Sequence, residues 1–220
     1  MTAQKVRVTI VEDEALIRSM LERTIGEDDS LEVVASAGTV QEARLTVFPG
    51  SCDVAVIDVV LPDGNGVALG LQLQRADPNL GIMLLSGQDV IGLFNAVQSD
   101  MVKPWSYLSK RSGFARDVLS RAVAAAARGE IVIDPYVLKR AEPRLGTDVS
   151  SLTGAQLKIL RLVAEGLSNA AVAGALHLSE RSVESHLLKV YQTLGIDREG
   201  TNRRVAAVLM FLQQTGRRWD

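Results

Sequence analysis

The amino-acid sequence has few of the residues that build disulfides and zinc sites. Its 220 residues include one cysteine, Cys52, and two histidines, His177 and His186. A single cysteine leaves no disulfide within the chain, and these residues cannot supply the ligands of a zinc site made from cysteine and histidine. If the protein holds a metal ion, oxygen atoms must bind it.

Long hydrophobic runs are also missing. The longest uninterrupted apolar stretch is eight residues, 205–212, whereas a membrane-spanning helix needs about 18 or more. At the N-terminus, MTAQKVRVTIVEDE, acidic residues follow a short apolar stretch and there is no small-residue cleavage site, so this segment does not resemble a signal peptide. We expect a cytoplasmic protein without a transmembrane helix.

Hydrophobic residues make up 47% of the chain and charged residues 23%, which is typical of globular proteins that can form a core. The length predicts roughly one and a half to two compact units. The charge is unevenly divided. From Ser150 onward nine basic residues stand against six acidic ones, a net charge of +3, and the rest has fifteen against twenty, a net charge of −5. This hints at a nucleic-acid partner for the C-terminal part alone.

Short β-branched or aliphatic runs alternate with segments of helical periodicity over the first 110 residues, as in βαβ units around a parallel sheet. The predicted strands are 6–11, 31–37, 54–57, 82–85 and 106–108. The predicted helices are 15–25, 40–48, 67–75, 90–98 and 113–128. We therefore expect residues 1–128 to form an α/β domain with a doubly wound, five-stranded parallel sheet.

A change of pattern follows this domain. Residues 129–150 contain Pro135, Pro143 and Gly146 among several charges, so we expect a linker with a short turn of structure. Residues 151–220 then show helical segments and no strand pattern, which predicts a small all-α domain. Its predicted helices are 153–165, 168–176, 179–194 and 203–214, with capping signals at Thr153, Gln156, Ser168 and Ser179.

Polar and charged residues stand at the carboxyl ends of the predicted strands. Glu12 and Asp13 follow the first strand, Asp58 ends the third, Ser86 ends the fourth and a lysine follows the fifth. In an open parallel sheet these ends meet at the edge where ligands bind. Three clustered carboxylates repel one another unless they share a hard cation such as Mg²⁺. A carboxylate can also accept a phosphoryl group whose oxygens are neutralised by Mg²⁺, an ammonium and a hydroxyl.

The stretches VTIVEDE, AVIDVVLPDGNG, MLLSG and SYLSK occur in this order and resemble the receiver domain of bacterial two-component response regulators, which has a CheY-like fold. The resemblance spans roughly residues 5–128. It implies that Asp58 is the phosphoacceptor and that Glu12, Asp13, Asp58 and the carbonyl oxygen of Val60 bind Mg²⁺.

The same resemblance implies that Ser86 and Lys110 contact the phosphoryl group and that Tyr107 is the aromatic residue whose rotamer reports the signal. Lys103 is the competing lysine, because a proline follows it as in many receivers. Lys110 is preferred because it follows the better strand candidate and lies 24 residues after Ser86, nearer the family interval than the 17 residues of Lys103. The sequence departs from the family at 95–106, where QSDMVKPW replaces the usual glycine–alanine turn.

The stretch SLTGAQLKILRLVAEGLSNAAVAGALHLSERSVESHLLKVYQTLGI resembles the LuxR/NarL-type helix-turn-helix almost from end to end. With the receiver motifs, it makes the chain similar to NarL/FixJ-type response regulators. The helix after Ser179 is expected to enter the major groove of DNA while an apolar stripe packs inward. That stripe is Val183, Leu187, Val190 and Leu194. The residues expected to contact DNA are Arg181, Ser182, Glu184, Ser185, Leu188, Lys189 and Gln192.

These side chains have different chemistry toward DNA. Arg181 can bind guanine edges or phosphate, Ser182 and Lys189 suit phosphate, and Leu188 can touch a thymine methyl group. Glu184 can accept a hydrogen bond from a cytosine amino group or orient Arg181. Because the face has few cations, we expect two copies to bind adjacent half-sites. The resemblance favours a homodimer in the active state.

The sequence therefore predicts a transcription regulator, not an enzyme, that a sensor histidine kinase controls through Asp58. One alternative is a regulator that is independent of phosphorylation and is controlled by dimerisation or a ligand, which the irregular 95–106 segment leaves open. A phosphatase with an aspartate nucleophile ranks lower, because Val60 stands where a second aspartate is usual. A nucleotide-binding module ranks lowest, since no glycine-rich loop follows the first strand.

Overall fold

The computed structural model describes residues 4–87, 101–196 and 202–217. The chain divides into two compact units, residues 1–134 and 135–220. Within the described ranges, no helix is both long enough and apolar enough to cross a bilayer.

The first unit is an α/β domain around a parallel sheet. Its strands are β1 (Val6–Val11), β2 (Leu31–Ala37), β3 (Val54–Asp58), the short β4 (Val60–Leu61) and β5 (Gly64–Asn65), β6 (Gly81–Ser86) and β7 (Ser106–Ser109). Among the described residues the parallel sheet has five strands in the order β2-β1-β3-β6-β7, and β4 and β5 form a separate hairpin. The predicted fold class is confirmed. The strand order reverses between β1 and β3, so the site edge lies at their carboxyl ends.

Helices cover this sheet. They are α1 (Ala15–Gly26), α2 (Val40–Thr46), α3 (Gly66–Ala76), α4 (Lys110–Gly113) and α5 (Arg116–Ala127). The core between the sheet and the pair α1 and α5 includes Val8, Ile10, Leu21 and Val123, all fully buried. The predicted helix 113–128 corresponds to α5, which begins three residues later because Ala115 has an extended backbone, while Gly113 ends α4. The predicted helix 90–98 lies outside the described residues.

A buried glutamine fixes the segment that leads into β7. Gln74 of α3 is 1% exposed, and its Oε1 accepts hydrogen bonds from Trp105 Nε1 at 2.8 Å, Val102 N at 3.0 Å and Lys103 N at 3.2 Å. Its Nε2 donates to the carbonyl oxygen of Leu80 at 3.1 Å. One side chain therefore satisfies several polar groups that would be costly to bury unpaired. Gln74 therefore fixes residues 102–105, which belong to the segment where the sequence departs from the family pattern.

Residues 129–150, where the sequence suggests a linker, have defined structure. Residues 131–134 belong to the first unit, in which Tyr107 N donates to the carbonyl oxygen of Val132 at 2.8 Å. The second unit then begins with α6 (Pro135–Arg140), β8 (Ala141–Pro143) and a 3₁₀ helix (Asp148–Ser151). Pro135 does not break this structure, because it is the first residue of α6, where a missing N–H leaves no bond unmade.

The second unit is mainly helical. Its further elements are α7 (Gly154–Ala164), α8 (Asn169–Leu176), α9 (Glu180–Thr193), α10 (Arg203–Gln214) and β9 (Thr215–Arg217). The capping box of Thr153 and Gln156 is present, and the side chains of Ser168 and Ser179 cap α8 and α9 as predicted. β9 pairs antiparallel with β8. Strands of three residues show no periodicity in a sequence, so this pair was not foreseen.

Candidate functional site

Three carboxylates converge at the carboxyl edge of the parallel sheet. Glu12 and Asp13 follow β1 and Asp58 is the last residue of β3, and one oxygen of each lies within 4.8 Å of the others. Glu12 and Asp58 are buried, at 1% and 4% exposure, whereas Asp13 is exposed. The three residues meet because β1 and β3 are neighbours in the sheet. The structure therefore brings the predicted acidic residues together.

Lys110 supplies positive charge to this cluster. Its Nζ lies 2.8 Å from Asp58 Oδ2, 2.9 Å from Glu12 Oε1 and 3.1 Å from Glu14 Oε1. Lys110 is the first residue of α4, directly after β7, and the side chain of Ser109 caps that helix. The fold thus places one ammonium at charge-assisted hydrogen-bond distance from the carboxylates of Asp58, Glu12 and Glu14.

The competing lysine lies elsewhere. Lys103 Nζ donates to the carbonyl oxygen of Asn79 at 2.8 Å. Asn79 precedes β6 and so lies at the amino end of that strand. The structure brings Lys110 to the acidic cluster and leaves Lys103 at the opposite edge of the sheet.

The electrostatics of the cluster suit a divalent cation. Burial raises the pKa of Glu12; the hydrogen bond from Lys110 opposes this rise, and the charge of Asp58 adds to it. Burial lowers the pKa of Lys110, but its hydrogen bonds with Asp58 and Glu12 outweigh burial and leave that pKa raised. Lys110 is therefore a lasting cation at neutral pH, but it is a single charge beside several carboxylates. Glu12 Oε2 is buried without a hydrogen-bond partner among the described residues. An orphaned carboxylate oxygen beside two more carboxylates is a donor set that fits Mg²⁺.

Ser86 and Tyr107 lie on the neighbouring strands β6 and β7. Ser86 is the last residue of β6 and is 1% exposed, and it pairs in register with Ser109, the residue before Lys110. Tyr107 is fully buried in β7 and pairs with Leu84. Ser86 is therefore at the carboxyl edge with the acidic residues, while Tyr107 lies deeper in the sheet.

The loop after Asp58 is held at its start and at the tip of its hairpin. Val60 N donates to Asp58 Oδ1 at 3.1 Å. At the tip of the β4–β5 hairpin, Asp63 accepts hydrogen bonds from Val40 N at 2.7 Å and Gln41 N at 3.0 Å, which are the first residues of α2. These bonds lower the pKa of Asp63. They fasten the residues that carry the Val60 carbonyl to a neighbouring helix.

Gly66 allows α3 to begin against the backbone of Asp58. Its N–H donates to the carbonyl oxygen of Val59 at 2.9 Å. A Cβ at Gly66 would lie 1.9 Å from the carbonyl oxygen of Asp58 and 2.9 Å from Ile57 Cγ2. Any other residue would have to displace Asp58 or the start of α3.

In the second unit, α8 and α9 form a helix-turn-helix with α7 packed against both. The stripe of α9 is buried as predicted, with Val183 and Val190 at 0%, Leu187 at 4% and Leu194 at 3% exposure. Ser182 is half-buried, and its Oγ lies 2.8 Å from Ser179 Oγ. The other predicted DNA-facing residues are exposed: Arg181, Glu184, Ser185, Leu188, Lys189 and Gln192.

Comparison with known families assigns both units. The family model of the response regulator receiver domain matches residues 8–123, and that of bacterial regulatory proteins of the luxR family matches residues 150–210. The chain is a response regulator of the LuxR family. It joins a receiver domain to a LuxR-type DNA-binding domain.

Relatives of this response regulator agree with the assignment. The DNA-binding transcriptional activator DevR/DosR of Mycobacterium tuberculosis is 31% identical over 204 residues, which cover 88% of this chain and 90% of the relative. The nitrate/nitrite response regulator protein NarP of Escherichia coli is 30% identical over 219 residues, covering 96% of each chain. A solved structure of Salmonella typhimurium RcsB response regulator is similar in fold, with a TM-score of 0.54 and 20% identity over 96% of this chain and 99% of that one.

Three residues at the acidic edge of the response regulator were missed from sequence. Glu14 reaches Lys110 although 96 residues separate the two. Asp63 and Gly66 act through contacts with α2 and Asp58 that only the folded chain makes. The sequence offered two signals for these residues: Glu14 is the third acid of VEDE, and Gly66 stands at the start of a helix.

Proposed function

We propose that this response regulator takes up a phosphoryl group on Asp58 from a partner sensor histidine kinase, and that the modification controls DNA binding by its second unit. The observation that supports the proposal is the meeting of oxygens from Glu12, Asp13 and Asp58 within 4.8 Å. Lys110 Nζ lies beside them, 2.8 Å from Asp58. Like charges this close are costly unless a shared cation or neighbouring positive charge neutralises them.

In this proposal Glu12, Asp13, Asp58 and the carbonyl oxygen of Val60 hold Mg²⁺. When bound, the ion neutralises oxygen charge on the phosphoryl group. A carboxylate oxygen of Asp58 attacks phosphorus, the bond from phosphorus to the histidine nitrogen of the kinase breaks, and the imidazole leaves. The hydrogen bond from Val60 N orients the Asp58 carboxylate for this attack.

Lys110 and Ser86 stabilise the product. The Lys110 ammonium contacts a phosphoryl oxygen while it stays near Glu12, and the Ser86 hydroxyl binds a second oxygen from the neighbouring strand. Tyr107 lies two positions before Ser109 on the strand that leads to Lys110. We assign it the rotamer change that carries the signal away from the site.

Mass spectrometry tests the acceptor. The full-length protein treated with acetyl phosphate and Mg²⁺ is expected to gain one phosphoryl group, and Asp58→Asn is expected to gain none. Asp77→Asn is the matched control, because Asp77 follows α3 and lies at the opposite edge of the sheet. Lys110→Ala is expected to slow phosphorylation or signalling more than Lys103→Ala does.

Equal labelling of Asp58→Asn would contradict the choice of acceptor. No labelling of the wild type by any donor would instead favour a regulator that is controlled without phosphorylation.

For the second unit, we propose that the exposed face of α9 binds DNA in the major groove. Arg181 binds guanine edges or phosphate, Lys189 and Ser182 bind phosphate, and Leu188 contacts a thymine methyl group. The remaining contacts are assigned to Glu184, Ser185 and Gln192. The support is the separation of this polar face from the buried stripe on the same helix.

Binding to random-sequence duplex DNA, measured against salt concentration, tests this face. Arg181→Ala with Lys189→Ala is expected to weaken binding and to lower the salt slope by about one per lost phosphate contact. The control Lys139→Ala with Lys158→Ala removes the same charge from two exposed positions outside α9. The affinity of this control for DNA is expected to fall less. Equal losses in the two pairs would reject the proposed face.

We also propose that the active form is a homodimer in the cytoplasm, where kinase and DNA are both present. A lone α9 offers few cations, and two copies on adjacent half-sites double the contacts. Sedimentation with Mg²⁺ and beryllofluoride, a phosphoryl mimic, is expected to show dimers that the untreated protein lacks. A monomer under both conditions would contradict this part of the proposal.

A further inference from the structure

Residues 131–134, here called the edge segment, extend the parallel sheet beyond β7. Tyr107 N donates to the carbonyl oxygen of Val132 at 2.8 Å, and Tyr107 forms a parallel bridge with Ile133. Val132 N donates to Ser106 Oγ at 3.0 Å. Ile131 is 4% exposed and the other three residues of the segment are 0% exposed. The edge segment therefore covers the strand that leads to the phosphorylation site.

The last residue of the edge segment contacts the residue that precedes Lys110. Asp134 is fully buried, and its Oδ2 accepts a hydrogen bond from Ser109 N at 2.7 Å. Ser109 caps α4, whose first residue is Lys110. The backbone bond made by Asp134 thus fixes the residue immediately before the lysine whose Nζ lies 2.8 Å from Asp58.

Asp134 is also the last residue of the first unit, and Pro135 begins the second. Proline restricts its own φ and the conformation of the residue before it. The backbone of Asp134 is therefore restricted at the boundary between the two units. Asp134 therefore both accepts the hydrogen bond from Ser109, next to Lys110, and precedes the first residue of the second unit.

We propose that Asp134 is a positioning residue for Lys110, and that the edge segment carries the phosphorylation signal to the start of the second unit. This inference rests on the proposed phosphorylation of Asp58. When the ammonium of Lys110 moves toward a phosphoryl oxygen, Ser109 moves with it. The length of the hydrogen bond from Ser109 N to Asp134 then changes. By linkage, the position of the chain at Asp134 also alters how readily Asp58 is phosphorylated.

A double-mutant cycle on the full-length protein tests the positioning role. With phosphoramidate and saturating Mg²⁺, Asp134→Ala is expected to slow phosphoryl uptake about tenfold, since a misplacement near 1 Å can cost about a hundredfold. Asp134→Asn keeps an oxygen that can accept from Ser109 N and is expected to recover most of the rate. In a Lys110→Ala background, Asp134→Ala is expected to cause no further slowing.

The affinity for Mg²⁺ separates positioning from general damage. In the proposal Asp134 acts through Ser109 on Lys110, so the Kd for Mg²⁺ measured by calorimetry is expected to be the same in Asp134→Ala and wild type. Equal slowing with and without Lys110, or a Kd weakened in proportion to the rate, would overturn the positioning role.

Hydrogen exchange tests the link to the second unit. Adding Mg²⁺ and beryllofluoride is expected to change the exchange rates of the Val132 and Ser109 amides several-fold in wild type but not in Lys110→Ala. Unchanged rates in wild type that binds the mimic would overturn the link. A wild type that neither binds the mimic nor takes up phosphoryl groups would refute the proposed function itself, which is a distinct result.

Discussion

The close approach of Gly66 to Asp58 allows a strong test of how the phosphorylation site is built. In Gly66→Ala the added Cβ would lie 1.9 Å from the carbonyl oxygen of Asp58 and 2.9 Å from Ile57 Cγ2. An acceptable contact needs about 3 Å, so the two backbones must separate by roughly 1 Å. The two backbone segments cannot separate freely, because the hydrogen bond from Gly66 N to the carbonyl oxygen of Val59 ties them together. Overpacking of this kind costs about 3 kcal/mol.

Urea denaturation followed by tryptophan fluorescence measures this cost, because Trp105 is fully buried in the first unit. Gly26→Ala is the matched control, since Gly26 is the last residue of α1 and a Cβ there meets no described atom within 4 Å. The control is expected to be as stable as wild type or more stable by up to about 1 kcal/mol.

Gly66→Ala is also expected to bind Mg²⁺ about tenfold or more weakly, because Asp58 moves with its backbone. If the variant loses less than about 1 kcal/mol and binds Mg²⁺ as wild type does, the described packing of α3 on Asp58 is refuted.

Three further predictions concern stability. Gln74→Met keeps the volume but leaves the donors of Trp105 and its neighbours unpaired, so we expect a loss of about 3 kcal/mol in urea denaturation; a loss below about 1 kcal/mol would contradict the network. His177 has a φ of 54° at the end of α8, and His177→Gly is expected to stabilise the protein by about 1 kcal/mol by calorimetry, whereas a lower Tm would argue against strain there. Burial raises the pKa of Asp53, but the hydrogen bonds of Arg7 outweigh it and hold that pKa below its ordinary value. The stability gained over Asp53→Asn is therefore expected to be complete near pH 7 and to shrink as the pH falls below about 4; a difference independent of pH would show that the charge is not involved.

The topology of a parallel sheet and the spacing of a helix explain why much of the site was predictable. In a parallel sheet the carboxyl ends of neighbouring strands share an edge, so the positions of Glu12, Asp13 and Asp58 along the chain are enough to predict that they meet. The inward stripe of α9 followed from helical spacing in the same way. Both rest on local periodicity combined with a rule of topology, and neither needs side-chain packing.

The choice between the two lysines shows a different dependence. Lys103 and Lys110 both stand near the start or end of β7 in sequence, and the proline after Lys103 made it a plausible candidate. In the structure Gln74 and Trp105 hold the segment of Lys103 against α3, and the Lys103 ammonium donates to Asn79. The interval to Ser86 favoured the lysine that lies in the cluster, but the distances came from tertiary packing.

The sequence by itself determined the α/β and helical units, the acidic edge and the polar face of α9, because these depend on periodicity and on short motifs. Only the tertiary structure decided what joins them. The edge segment beside β7, the bond from Asp134 to Ser109, the cap that Asp63 gives to α2 and the pairing of β8 with β9 link residues far apart in the chain. Such contacts depend on where separate elements pack, and a local pattern carries no information about a partner that lies dozens of residues away.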